Sequence, residues 1–268
     1  MNPVARQWSA RFAPPARGFT IIELAVVLVI VSLLIGSFLY PLSTQVDQRN
    51  TADTQRRLEE IREALIGYAI ANGRFPCPAA VSSPPASTDS GQEATPFSSS
   101  SGVCPSYAGY VPGKILGLNN LDSQGFALDA WGSTPQSRIR YAITNANLTG
   151  VAGTATFTGN AATSSMRAAG TSAIGSSGNV YLYVCASSAG ITAPACGSTA
   201  PLSMANALSN GDAVFVIYSV GKDLASQQTF GNATFWSQPV ATQTFDDQVL
   251  WVSRFAVISR LVSAGQLP

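Results

Sequence analysis

Glu23 is the first carboxylate of the chain, and it stands at the head of a long apolar run. An ionised side chain there is costly unless it meets a cation or reaches water. Other residues have the types and spacing for chemistry, but each lacks a necessary companion. Ser219-Val220-Gly221-Lys222 has the spacing of a serine nucleophile with a lysine base, yet it ends a strand-like run and no Lys-Thr-Gly accompanies it. Gly109 to Gly113-Lys114 falls one residue short of a phosphate-binding loop, with Ile115 where Ser or Thr would hold magnesium. The chain contains no histidine, which closes the Ser-His-Asp, Cys-His and zinc-protease mechanisms. Its carboxylates are too sparse to nominate an acid/base pair. No enzyme is expected.

The 268 residues carry 15 basic and 14 acidic side chains, and hydrophobic residues make up 46%. That composition supports a folded core and argues against a solvated, disordered chain. The near-neutral balance offers no basic surface for nucleic acid. The balance is uneven along the chain. Arg6, Arg11 and Arg17 give residues 1–18 a charge of +3, and the remainder is mildly acidic. A short basic segment ahead of an apolar run has the form of a targeting signal.

Leu24 to Val46 is a stretch of 23 residues without a charge. As a helix, residues 19–40 would extend about 33 Å, enough to cross a hydrocarbon core of about 30 Å. Arginines before the run and acidic excess after it place the N-terminus in the cytoplasm and the rest outside. The run is longer than the core of an ordinary signal peptide and ends without a small-x-small cleavage site. Pro41 should kink or loosen the helix late in the run. Residues 42–72 continue the helical pattern, with Leu58, Ile61, Leu65 and Tyr68 as a stripe and Asp53–Arg57 and Arg56–Glu60 as charge pairs. Asn72-Gly73 supplies the stop signal.

The segment that opens the run, Arg17-Gly18-Phe19-Thr20-Ile21-Ile22-Glu23, resembles the N-terminus of type IV pilins and type II secretion pseudopilins. The resemblance implies cleavage between Gly18 and Phe19 by a prepilin peptidase, N-methylation of Phe19, and a contact of Glu23 with a neighbouring subunit's N-terminal amine that sets register during assembly. It implies a structural subunit, a minor pilin or pseudopilin, of a pilus-like or secretion filament. The implied partners are the peptidase, other pilin subunits, an inner-membrane assembly platform and membrane lipid. The expected organisation is a leader at 1–18, a transmembrane helix at 19–40, its amphipathic continuation at 41–72, and a periplasmic head at 73–268. The expected fold is α+β and pilin-like, a long N-terminal helix packed on an antiparallel sheet.

The head is expected to contain strands near 138–144, 151–158, 180–186, 213–220 and 249–252, which are short and rich in β-branched and aromatic residues. Residues 79–103 and 159–179 are expected to be loops. Ser253 should cap a C-terminal helix through Ala264, with Phe255, Ile258, Leu261 and Val262 on one side. Cys77, Cys104, Cys185 and Cys196 fall in the part placed outside the cytoplasm, where disulfides form. Three pairings are open; the sequential one closes the shortest loops. Without a Cys-x-x-Cys or a histidine, metal binding by these cysteines is not expected.

Two stretches of the head resemble major pseudopilins. Asp129-Ala130-Trp131-Gly132 with Arg140-Tyr141 is similar to their Asp-x-Trp-Gly segment. Residues 215–223 with Asp246-Asp247 and Trp251 are similar to their calcium-binding loop. The resemblance admits calcium at Ser219, Asp223 and Asp246 or Asp247; no other cofactor is expected. The chain departs from that pattern at Leu224, where glycine is usual, and in a longer aromatic loop with Phe230, Phe235 and Trp236. A second reading makes the head a ligand-binding module, a tip adhesin or uptake factor, displayed on the same spine.

Overall fold

The computed structural model describes residues 18–81, 90–94, 102–148, 156–159, 165–176, 181–186, 191–192, 195–196, 207–225, 228, 234–237 and 245–267, with the backbone alone at 37–43, 191–192, 195 and 210. It is an α+β structure that divides into two compact units, residues 1–47 and residues 48–268. The leader segment 1–17, Phe230 and most of the expected strand at 151–158 lie outside the described residues.

Helix α1 spans Ile21–Asn72. In the first unit its side chains from Ile21 to Gly36 are exposed, including Ile22, Leu24, Leu28 and Leu33. Among the described residues, no helix is long and apolar enough to cross a membrane. The backbone remains helical through Pro41.

In the second unit α1 becomes amphipathic. Leu58, Ile61 and Leu65 are buried as the stripe predicts, while Tyr68 is only half-buried and Ile66 and Ala69 complete the packed face. Burying each large aliphatic side chain contributes about 1.5–3 kcal/mol. The expected i,i+4 charge pairs do not form. Arg56 turns back to Asp53 at 3.0 Å, and Arg57 donates to main-chain carbonyls of the head. The helix stops where Gly73 takes a left-handed φ of +69°, a conformation that costs a side-chain-bearing residue.

The head sheet contains β1 (Ala108–Tyr110), β2 (Arg140–Ile143), β3 (Leu182–Cys185), β6 (Ala207–Ser219), β7 (Thr234–Trp236) and β8 (Gln248–Ser253). A separate two-stranded ladder joins β4 (Ile191–Thr192) and β5 (Ala195–Cys196). The main order is β1-β2-β6-β3-β7, with β8 also paired to β6. Pairing is antiparallel as expected, with one addition: β3 and β7 run parallel.

Strand β6 is the centre of the head. Phe215 and Ile217 join the core under α1, and Val216, Tyr218 and Val220 pack on the opposite side with Leu182, Val184 and Phe235. Coverage on both faces explains its nearly continuous apolar sequence.

Two elements differ from expectation. Helix α2 (Met166–Gly175) occupies the stretch expected to be a loop; Ser165 caps it, and Gly170 interrupts it with φ +71°. Helix α3 (Arg254–Ser263) is capped by Ser253 as expected, but Phe255 and Val262 are exposed while Arg254, Val257 and Leu261 are buried. The face is rotated because Arg254 turns inward to an ion pair with Asp212 at 2.8 Å and a bond to the Ser176 carbonyl at 2.6 Å.

Candidate functional site

In the first unit, residues 18–20 are outside the helix and α1 begins at Ile21. Thr20 is the helix cap: its hydroxyl oxygen accepts the Glu23 N–H at 3.3 Å, and its carbonyl accepts the Leu24 N–H at 3.2 Å. Ser or Thr followed three residues later by Glu is the spacing of a capping box. Glu23 thus sits in the first helical turn, where the positive end of the helix dipole favours a carboxylate. Gly18 and Phe19 are exposed, Phe19 by 80%.

In the second unit, the Asp129-Ala130-Trp131-Gly132 segment joins α1 to the end of β6. Arg57 donates to the carbonyls of Leu128, at 3.0 Å, and Asp129. The Ala130 N–H donates to the Thr54 hydroxyl at 3.1 Å. The Asp129 carboxylate accepts the Trp131 N–H at 2.9 Å and the Ser219 hydroxyl at 2.6 Å. Asp129 is 1% exposed. Burial raises its carboxyl above the ordinary aspartate range; the bonds from Ser219 and Trp131, with Arg57 and Arg140 nearby, oppose that rise.

The residues expected as calcium ligands are placed in two groups. Ser219 accepts the Gly221 N–H at 3.1 Å and donates to Asp129. Asp246 Oδ2 accepts the N–H groups of Lys222, at 2.6 Å, and Asp223, at 3.0 Å. Asp223 accepts the Ala225 N–H at 2.7 Å. Asp247 is buried beside them. These bonds clasp the 219–225 turn. Among the described residues, no group of three or more His, Cys, Asp or Glu is placed to hold a metal ion. Desolvation raises the Asp246 carboxyl, and the neighbouring Asp223 adds to that rise. Phe235 is buried in the core, and Trp236 packs at a tilt against Phe245 with centroids 4.2 Å apart.

The four cysteines pair as Cys77–Cys104 and Cys185–Cys196, with Cα–Cα separations of 5.6 and 5.5 Å. Sequence reasoning missed the ion pair beside the first bridge. Arg74 meets Glu93 through two bonds of 2.6 and 2.8 Å, and Glu93 also accepts the Cys77 N–H at 2.6 Å. Tyr68 accepts a further bond from Arg74 at 3.0 Å. No spacing rule connects Arg74 to Glu93; only folding of the 77–104 loop brings them together.

Residues 14–39 match the family model of the prokaryotic N-terminal methylation motif, the prepilin-type signal of type IV pilins and pseudopilins. No curated protein and no solved structure matches the chain. The chain carries a prepilin-type signal, and that signal includes the start of α1 in an α+β structure.

Proposed function

We propose that this chain is a structural subunit, a minor pilin or pseudopilin, of a type IV pilus-like or type II secretion filament. The observation that carries the proposal is the methylation motif at residues 14–39, which takes in the start of the helix that runs from Ile21. Prepilin peptidase cuts between Gly18 and Phe19, and the new N-terminal Phe19 is methylated. Residues 19–40 anchor the subunit in the inner membrane, with the head in the periplasm. The uncharged run of the sequence supports that placement.

Assembly is then the mechanism. The exposed apolar side chains from Ile21 to Ile35 supply surface for packing against other subunits. Glu23, held in the first turn of the helix, meets the amine of a neighbouring Phe19. The pairing removes two uncompensated charges from an apolar setting, which makes an out-of-register neighbour unfavourable.

Intact mass measurement of the chain from cells with an active prepilin peptidase tests the proposal. The expected product begins at a methylated Phe19. A chain that retains residues 1–18 overturns it.

A further inference from the structure

Beside the Asp129 clamp, residues of three segments line an open cleft of about 510 Å³. Arg57 comes from α1, Asn119 and Asn120 from the turn before Leu121, and Asp129, Trp131 and Ser133 from the segment after Leu128. None of these residues is needed for the proposed filament assembly.

The cleft offers unused hydrogen-bonding groups. Asn119 and Asn120 are exposed, and among the described residues neither side chain forms a hydrogen bond. Two adjacent amides offer carbonyl acceptors beside N–H donors. Arg57 spends Nη1 on the two carbonyls, leaving Nε and Nη2 without a hydrogen bond among the described residues. Trp131 is half-buried, and it lines the cleft beside them.

The lining also excludes ligand classes. One guanidinium beside one buried carboxyl makes no cationic cluster for a polyphosphate or nucleic acid. Two leucines, one alanine and one indole in an otherwise polar lining are too little apolar surface for a lipid chain. A ligand with neighbouring hydroxyls, each both donor and acceptor, matches the amides, the guanidinium and the Ser133 hydroxyl. A ligand with a flat C–H face matches an indole, whose body is apolar. We propose that the cleft formed by Arg57, Asn119, Asn120 and Trp131 binds a pyranose saccharide. This inference stands independently of the filament reading and gives the head a ligand of its own.

The test uses the full chain in a detergent without a sugar headgroup. Glucose, galactose, mannose, N-acetylglucosamine and their disaccharides are screened by saturation-transfer NMR, with inorganic phosphate as the competing probe. At least one sugar is expected to receive saturation on its ring protons and to titrate with a dissociation constant of about 1 mM. The double variant Asn119→Ala/Asn120→Ala should weaken that binding about tenfold or more, with the melting temperature unchanged. Trp131→Phe should retain part of the affinity and Trp131→Ala should lose it. If Trp131→Ala fails to fold, the asparagine variant decides alone, because its residues are exposed. Absence of saturation for every sugar, binding unaffected by the asparagine variant, or phosphate displacing the sugar overturns the proposal.

Discussion

The Ser219 hydroxyl donates to Asp129 Oδ2 at 2.6 Å across 90 positions of sequence. It links the end of the central strand to the loop that clasps α1. Both residues are buried, Ser219 fully. Removing the hydroxyl leaves a buried carboxylate oxygen without that donor, so Ser219→Ala should cost about 1–3 kcal/mol. Thermal or denaturant unfolding of the full chain in detergent measures it, and an unchanged midpoint would show that the bond contributes nothing.

Asp129 also gives stability a pH dependence with a definite sign. Its folded carboxyl lies above the ordinary aspartate range because of burial. The folded state therefore binds the proton more tightly than the unfolded chain. Asp129's contribution is fully present below the unfolded value and is lost as pH rises through the folded one. Asp129→Asn removes this titration. Its unfolding midpoint should vary less than the parent's across the window above the ordinary aspartate value, and identical slopes in both proteins would refute the assignment.

Glu93 should be more sensitive than an exposed carboxylate. Its side chain is 16% exposed and that of Arg74 is 9% exposed. Glu93→Ala leaves the guanidinium buried without its carboxylate, a loss of about 3–5 kcal/mol for such pairs. Glu93→Gln should lie between the parent and Ala, since its amide oxygen can still accept the Cys77 N–H. Equal unfolding midpoints for Gln and Ala would argue that this main-chain bond is unimportant.

The turn at 219–225 predicts opposite effects for two substitutions. Leu224 has φ +57°, in the left-handed region. Leu224→Gly relieves a cost of about 1–2 kcal/mol and should be neutral or stabilising despite glycine's greater unfolded freedom. Gly221 has φ +71°, and an added Cβ would lie 2.5 Å from Asp246 atoms, including its carbonyl oxygen. Gly221→Ala should lower the melting temperature by several degrees. Melts in which both variants moved together would contradict this geometry.

At the N-terminus, Gly18→Leu should leave residues 1–18 attached. Glu23→Ala should be cleaved normally but enter filaments poorly. Intact mass reads the first outcome, and the subunit content of sheared filaments reads the second. Normal incorporation of both variants would count against the proposed assembly step.

The legible parts of the structure were those specified by local chemistry. The Asn72-Gly73 stop and the Ser253 cap each act within one helical turn. The apolar runs of β2, β3, β6 and β8 also marked strands, although β6 extends back to Ala207. Contacts that depend on distant partners were less legible. The rotation of α3 follows from Asp212 and Ser176 accepting Arg254, which periodicity in residues 254–263 does not contain. Helix α2 was hidden by glycine, serine and threonine within a sequence of only ten residues. At the clamp, the Asp-Ala-Trp-Gly segment was visible as a motif, but neither Ser219 nor Arg57 could be assigned to it by spacing. The two asparagines of the cleft gave no signal at all.

The bonds from Arg57 and Thr54 to the Leu128–Ala130 main chain also have a mechanical consequence. A pull along the helical part of the head loads several bonds at once, in shear, and Asp129 passes the force to β6 through Ser219. The central strand is in turn bonded to three others. Tension is therefore distributed through the sheet rather than carried by one contact.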